Sequence, residues 1–178
     1  MTAVYVAAGS NVDAVRHLQL ALHELSRLYP DLKVSPAYRN KAVGFEGDDF
    51  VNLVVGFETS LRPEQVREQL QAVEATCGRA ADAPKWAPRT MDLDILLFGD
   101  LVSSEPGLVV PRPDLIRRPY MLKPMADIGP EVMHPVSGRT MRELWEAFDS
   151  EGHEMREEEL GDRGGGPLAN WAAGQRKK

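Results

Sequence analysis

At 178 residues, 43% of them hydrophobic, the chain is long enough to bury one core and suits a single domain. Its net charge of −6 excludes a general attraction to nucleic acid or to a polyanionic surface, so any phosphate it binds has to be gripped by a local cluster of bases. Cys77 is its one cysteine, which excludes an internal disulfide framework and a cysteine-built metal site, and no apolar run nears the ~18 residues of a membrane span. With no basic leader ahead of an apolar core either, a soluble, unexported protein in a reducing cytosol is expected.

Residues 3–8 are apolar, with β-branched and aromatic members, the composition of a buried strand, and Gly9-Ser10-Asn11 breaks it. Val15, Leu18, Leu22, Leu25 and Leu28 then recur at three- and four-residue spacing, which predicts an amphipathic helix packed on a sheet and stopped at Pro30. The Gly-Ser-Asn turn can cap that helix or offer backbone N–H groups to an anion; capping is the commoner use. Residues 32–38 read as a second strand. From 39 to 49 the period lapses through two glycines into an irregular loop, of the kind that is functional or mobile in a compact domain. Residues 50–58 form a third strand, apolar on both faces apart from Asn52. A buried amide must satisfy donor and acceptor, so Asn52 either braces backbone or reads a ligand's edge.

Pro63 opens a second helix with the buried stripe Val66, Leu70, Val73 and Cys77, and Gly78 is its stop. Glu74 lies just off the stripe, Arg79 just past the end, and 80–84 is a second irregular loop. Residues 85–98 are the stretch around which the chain is organised. Leu93, Ile95, Leu96, Leu97 and Phe98 predict a fourth strand closed by Gly99-Asp100. Asp92 and Asp94 stand at its entrance, two residues apart, so strand alternation points both the same way with Cα atoms roughly 6.6 Å apart. Two anions that close repel unless a cation sits between them. Arg89 lies just upstream, and Trp86 a little further. Such a pair suits a hard octahedral ion such as Mg²⁺ beside a guanidinium that grips phosphate, the equipment of phosphoryl transfer; the plainer reading is a polar strand end.

Beyond Asp100 the chain turns through 103–107 and returns at 108–110. Arg112, Arg117 and Arg118 then make a basic cluster, either solvated or clamping phosphate opposite the aspartates. Residues 141–148 predict a short amphipathic helix. The remainder, 149–178, holds an acidic run at 157–159, three glycines at 164–166 and a basic end. Too little there is apolar to offset the entropy of ordering, so the expectation is one domain over 1–148 and a mostly disordered tail. Four strands and two main helices suggest an α+β sandwich of the ferredoxin-like kind, with helices packed on one face of a largely antiparallel sheet.

The central stretch resembles the signature of the 6-hydroxymethyl-7,8-dihydropterin pyrophosphokinase family. Lys85, Ala87, Pro88, Arg89, Asp92, Leu93, Asp94, Ile95 and Leu96 fill every defined position of it. The likeness extends to Gly9-Ser10-Asn11, to Phe50 and Asn52, to Glu74 with Gly78-Arg79, and to Arg118, Tyr120, Leu122, Pro124, Met125, Ile128 and Pro130. It covers roughly 1–148. Arg112 departs from it, standing where the family usually has histidine, as does Ala81, where some members carry a further arginine.

The resemblance implies the ferredoxin-like fold and a reaction in which ATP and 6-hydroxymethyl-7,8-dihydropterin give AMP and the pterin pyrophosphate. It implies two Mg²⁺ ions on Asp92 and Asp94, and ATP held by Glu74, Arg79, Lys85, Trp86, Arg89, Arg112 and Arg118. Gly9, Asn40, Val43, Phe50, Asn52, Trp86 and Tyr120 would take the pterin, with Phe50 and Tyr120 stacking on its ring and Asn52 reading its edge. Arg79, Arg89, Asp92 and Asp94 would be catalytic. The two irregular loops are expected to close over both substrates. A cytoplasmic monomer acting on small molecules is expected; the alternatives are a non-catalytic pterin- or nucleotide-binding paralogue and a metal-dependent phosphotransferase with another acceptor.

Overall fold

A computed structural model describes residues 1–41, 49–78 and 90–160. Thr2–Ser10 forms strand β1, whose alternation sends Val4, Val6 and Ala8 to one face of the sheet and Tyr5 and Ala7 to the other. Asp13, in the left-handed region, precedes helix α1 (Ala14–Leu28), which buries Leu18, Ala21, Leu22 and Leu25. The strand expected at 32–38 is split into β2 (Lys33–Val34) and β3 (Ala37–Asn40). Pro36 has no N–H for a ladder, and Ser35 bonds Val54 with its side chain as well as its backbone, so the strand jogs there.

Strand β4 (Phe50–Thr59) pairs antiparallel with β1 on one side and β3 on the other. Helix α2 (Pro63–Thr76) buries Val66, Leu70 and Val73. Gly78 follows at φ 87°, a conformation that stops the helix at no steric cost only in glycine. Strand β5 (Asp92–Phe98) pairs with the outer side of β1. The resulting order β5-β1-β4-β3 means that α1 carries the chain across β4, and α2 across β1. That is the split β-α-β arrangement of a ferredoxin-like sheet.

Helices cover both faces of the sheet, where the sequence suggested one. Helices α1 and α2 pack over Val6, Leu53 and Val55. Ala7, Val54, Leu96 and Leu97, on the opposite face, lie under α3 (Pro119–Ile128) and α4 (Met141–Glu146) through Leu122, Met125 and Met141. Local sequence hides helix α3, because Pro124 in its interior looks like a breaker: it removes the hydrogen bond to the Tyr120 carbonyl. Burial of Leu122, Pro124 and Met125 against the sheet offsets that loss. Helix α4 starts at a capping box, with Thr140 and Glu143 each bonding the other's backbone N–H, at 3.2 and 3.1 Å. Between β5 and α3, strands β6 (Ser103–Glu105) and β7 (Leu108–Val110) make a hairpin, followed by a cis Val110–Pro111 bond and a 3₁₀ turn at Pro113–Ile116.

The sheet also reaches past residue 148. Strand β8 (Arg156–Glu158), inside the acidic stretch read as tail, pairs with β3, and Arg39 donates to both oxygens of Glu158 at 3.0 Å. Leu160 then packs on the first core while its carbonyl accepts from Gln19 at 2.9 Å. A local count of apolar residues misses this, because the partner of those acids is a guanidinium far away in sequence. Residues 161–178 lie outside the described ones.

Buried His134 couples stability to pH. Its Nδ1 accepts from the N–H groups of Val136 (3.3 Å) and Ser137 (3.1 Å), and burial lowers its pKa from the ordinary 6.5. A proton on Nδ1 would face two donors. Because the folded pKa is the lower one, this contribution to stability is fully present above about pH 6.5 and is lost as pH falls through the folded value. His134→Asn, whose amide oxygen can accept in place of Nδ1, should flatten the fall of Tm between about pH 7 and 5. Equal slopes in the two proteins would remove His134 from the acid response.

Candidate active site

The site is built on one row across the sheet. Tyr38 of β3 stands opposite Asn52 of β4, Asn52 opposite Gly9 of β1, and Gly9 opposite Asp92 of β5. One pleat further along, Asp94 stands opposite Ala7, and Ala7 opposite Val54. Since Leu93 points into the α1–α2 core, Asp92 and Asp94 project to the α3 face, as do Phe50 and Asn52. A cleft of about 850 Å³ opens over this row. Its floor includes Gly9, Phe50, Asn52, Asp92 and Asp94; α2 contributes Glu74, α3 contributes Tyr120, and Arg112 closes the side beyond the β6–β7 hairpin.

Backbone contacts fix several of these side chains. The Asn52 amide donates to Asn40 Oδ1 at 2.6 Å, and Asn40 donates in turn to the Lys41 carbonyl at 3.1 Å, so the two amides orient each other. The Asn52 oxygen lies over Gly9, where a Cβ would come within 2.4 Å of it. Glycine there is a condition of that approach. β5 is the edge of the sheet, and Glu74 accepts its outward Leu93 N–H at 2.9 Å, between the two aspartates. The Arg112 N–H donates to Leu96 O at 2.9 Å on the same edge, which brings its guanidinium to 3.5 Å from Asp94. That pair is about a third exposed on each side, too open to count toward stability. Among the described residues the buried Arg112 Nε has no hydrogen-bond partner, while the side chain as a whole is about a third exposed to the cleft. Burial raises the pKa of the Tyr120 phenol, with Arg118 and Arg112 opposing, and keeps it neutral.

Of the residues singled out in the sequence, Gly9, Asn40, Phe50, Asn52, Glu74, Asp92, Asp94, Arg112 and Tyr120 line one cleft. Arg118 caps α3 beside Tyr120 without lining it. Val43, Arg79, Ala81, Lys85, Trp86 and Arg89 lie outside the described residues, as do 42–48 and 80–84, on which loop closure would depend. Arg67 and Gln71 also line the cleft, unexpectedly. Their spacing could have shown it, since they stand seven and three residues before Glu74 and so share its helix face. Among the described residues no group of three or more His, Cys, Asp or Glu could hold a metal. Two carboxylates on one strand face still fit Mg²⁺, which keeps waters and substrate phosphates among its ligands and seldom uses an all-protein cage.

Comparison with known proteins shows the family. The model of the family "7,8-dihydro-6-hydroxymethylpterin-pyrophosphokinase (HPPK)" matches residues 5–130. The 2-amino-4-hydroxy-6-hydroxymethyldihydropteridine pyrophosphokinase of Pseudomonas aeruginosa is 41% identical over 156 residues, covering 85% of this chain and 94% of that protein. The protein of the same name from Aquifex aeolicus is 37% identical over 146 residues, 81% of this chain and 91% of its own. Among solved structures, Plasmodium falciparum HPPK-DHPS with pteroate superposes with a TM-score of 0.65 at 15% identity. That likeness covers 82% of this chain but 42% of the other, and at such identity it speaks for the fold alone.

Proposed function

The chain belongs to the 7,8-dihydro-6-hydroxymethylpterin-pyrophosphokinase family, and from that we infer that it transfers pyrophosphate from ATP to 6-hydroxymethyl-7,8-dihydropterin in folate biosynthesis, giving AMP and the pterin pyrophosphate. The observation that carries this reading to particular residues is the single row in which Asn52, Gly9 and Asp92 share one sheet face under Tyr120. Asp92 and Asp94 hold two Mg²⁺ ions, which when bound supply charge neutralisation for the triphosphate. Arg112 presents its guanidinium to the phosphates from the side of the cleft, and Arg118, which sits just outside the cleft, belongs with Arg79, Lys85 and Arg89 to the basic cluster that holds ATP. Glu74 and Trp86 complete the nucleotide site.

Phe50 and Tyr120 sandwich the pterin ring, Asn52 with Asn40 reads its edge over Gly9, and Val43 and Trp86 belong to the pterin-binding set. Direct transfer requires that this orientation bring the hydroxymethyl oxygen in line with the β-phosphorus. No side-chain nucleophile is needed, since direct transfer rests on positioning and on charge held ready where it develops.

Residues 1–148 form the catalytic unit, with 156–160 pinned to its sheet. No helix of the described residues is long and apolar enough to cross a membrane. A cytoplasmic monomer with small-molecule partners, and without nucleic acid or membrane, suits the acidic composition.

The deciding experiment measures AMP formed from ATP with and without the pterin alcohol, each with and without Mg²⁺. AMP appearing only with all three is expected; nucleotide or pterin binding without AMP would favour the non-catalytic alternative. Arg112→Met tests the phosphate contact. Loss of a charge-assisted hydrogen bond should raise the KM for ATP about tenfold with the pterin KM little changed. An unaltered ATP KM would leave Arg112 as a partner of Asp94 alone.

A further inference from the structure

Resting on the reading that Phe50 and Tyr120 form the two walls of the pterin slot, we propose that Tyr38 and Asp127 are positioning residues that set its width without touching substrate. The walls belong to different layers. Phe50 and Asn52 stand on β4, while Tyr120 stands on α3. Tyr38 is directly opposite Asn52 in the ladder, so its ring rises from the sheet toward α3 beside the slot. On α3, Asp127 follows Tyr120 by seven residues, which puts both on one helix face about two turns apart.

The Tyr38 phenol donates to Asp127 Oδ2, joining sheet to helix. Oδ1 of the same carboxylate takes Lys123 at 2.8 Å, and the Lys123 ammonium lies 5.6 Å from the Trp145 ring centroid on α4. The acceptor is therefore held from two sides. Tyr38 itself is buried, and its phenol is held protonated far above the ordinary range, first by burial and then by its bond to Asp127.

A tie is needed here for two reasons. Nearby contacts between α3 and the sheet, such as Met125 and Leu122 near Val54, are apolar and non-directional, so the hydrogen bond adds a directional constraint that they do not supply. The first turn of α3 is also weakened, because Pro124 offers no N–H to the Tyr120 carbonyl. Tyr120 thus stands on a turn that depends on anchorage elsewhere. Losing the tie lets the slot relax while Asp92, Asp94 and Glu74, on β5 and α2, keep their places.

The test is calorimetric titration of the full chain with 6-hydroxymethylpterin in the presence of Mg²⁺ and α,β-methylene-ATP, and of the nucleotide analogue alone, with turnover measured alongside. Tyr38→Phe keeps the ring and loses the bond. It should weaken pterin binding about tenfold and raise the pterin KM alike, with kcat at saturation and nucleotide affinity within about twofold of the parent. Asp127→Asn retains an acceptor for the phenol and should stay near the parent, and adding it to Tyr38→Phe should cost nothing further. Parent-like pterin affinity in Tyr38→Phe, beside a weakened Phe50→Ala control, would overturn the proposal and spare the slot. Equal loss of pterin and nucleotide affinity would overturn it too, as general loosening of the fold. Should Phe50→Ala and Tyr120→Ala also bind pterin like the parent, the slot itself falls and this inference with it.

Discussion

Asp94→Ala is expected to lower kcat/KM for pyrophosphate transfer by about a thousandfold, roughly 4 kcal/mol of transition-state stabilisation, with the fold intact. The chemistry moves charge among phosphates, so a carboxylate that holds the neutralising cation acts mainly on the transition state. Stability should change little. Asp94 is flanked on its face by Asp92, and its contact with Arg112, at 3.5 Å and open to water, is of the kind that contributes almost nothing. β5 keeps its pairing with β1 and its buried Leu93, Leu96 and Leu97. Tm near the parent together with collapsed turnover is the expected pair of results. Turnover within about twofold of the parent would end the assignment of Asp94 to the metal.

Gly9→Ala is expected to weaken pterin binding on the order of a hundredfold, more than any single stacking contact would. A Cβ at Gly9 would meet the Asn52 oxygen at 2.4 Å, closer than real atoms approach. The side chain of Asn52 has to give way, because backbone on both sides is fixed by the β1–β4 ladder. In moving it leaves Asn40 Oδ1, so both amides lose the orientation that presents them to the cleft. A buried polar edge without its partner costs ligand affinity twice, once in the lost bond and once in the unmet desolvation. Nucleotide affinity should hold, since Asp94, Glu74 and Arg112 are untouched. Pterin affinity equal to the parent's in a folded Gly9→Ala protein would show that Asn52 does not read the ring.

Much of this was legible in the chain. The periodicity of Leu18, Leu22 and Leu25, the apolar runs of β1 and β4, and the Pro63 and Gly78 signals at either end of α2 are local facts, set by side-chain spacing and backbone preference within a few residues. The same-face geometry of Asp92 and Asp94 is equally local, since strand alternation needs no knowledge of neighbours. Helix α3 and strand β8 were not legible. Pro124 and a run of acids argue against structure locally, and each is overruled by a distant partner, the sheet face in one case and Arg39 in the other.

The sequence by itself thus determined strands β1, β4 and β5 and helices α1, α2 and α4, which residue types are available for phosphate, metal and a flat polar ring, and which family the signature resembles. Tertiary structure alone decided which sheet face the aspartates share, that Gly9 lies between Asn52 and Asp92, that helices cover both faces, and that Tyr38 reaches Asp127. Those are matters of register and layer packing. They arise when hydrogen-bond ladders close between strands far apart in the chain, and a one-residue slip in any ladder would send the same side chains to the opposite face.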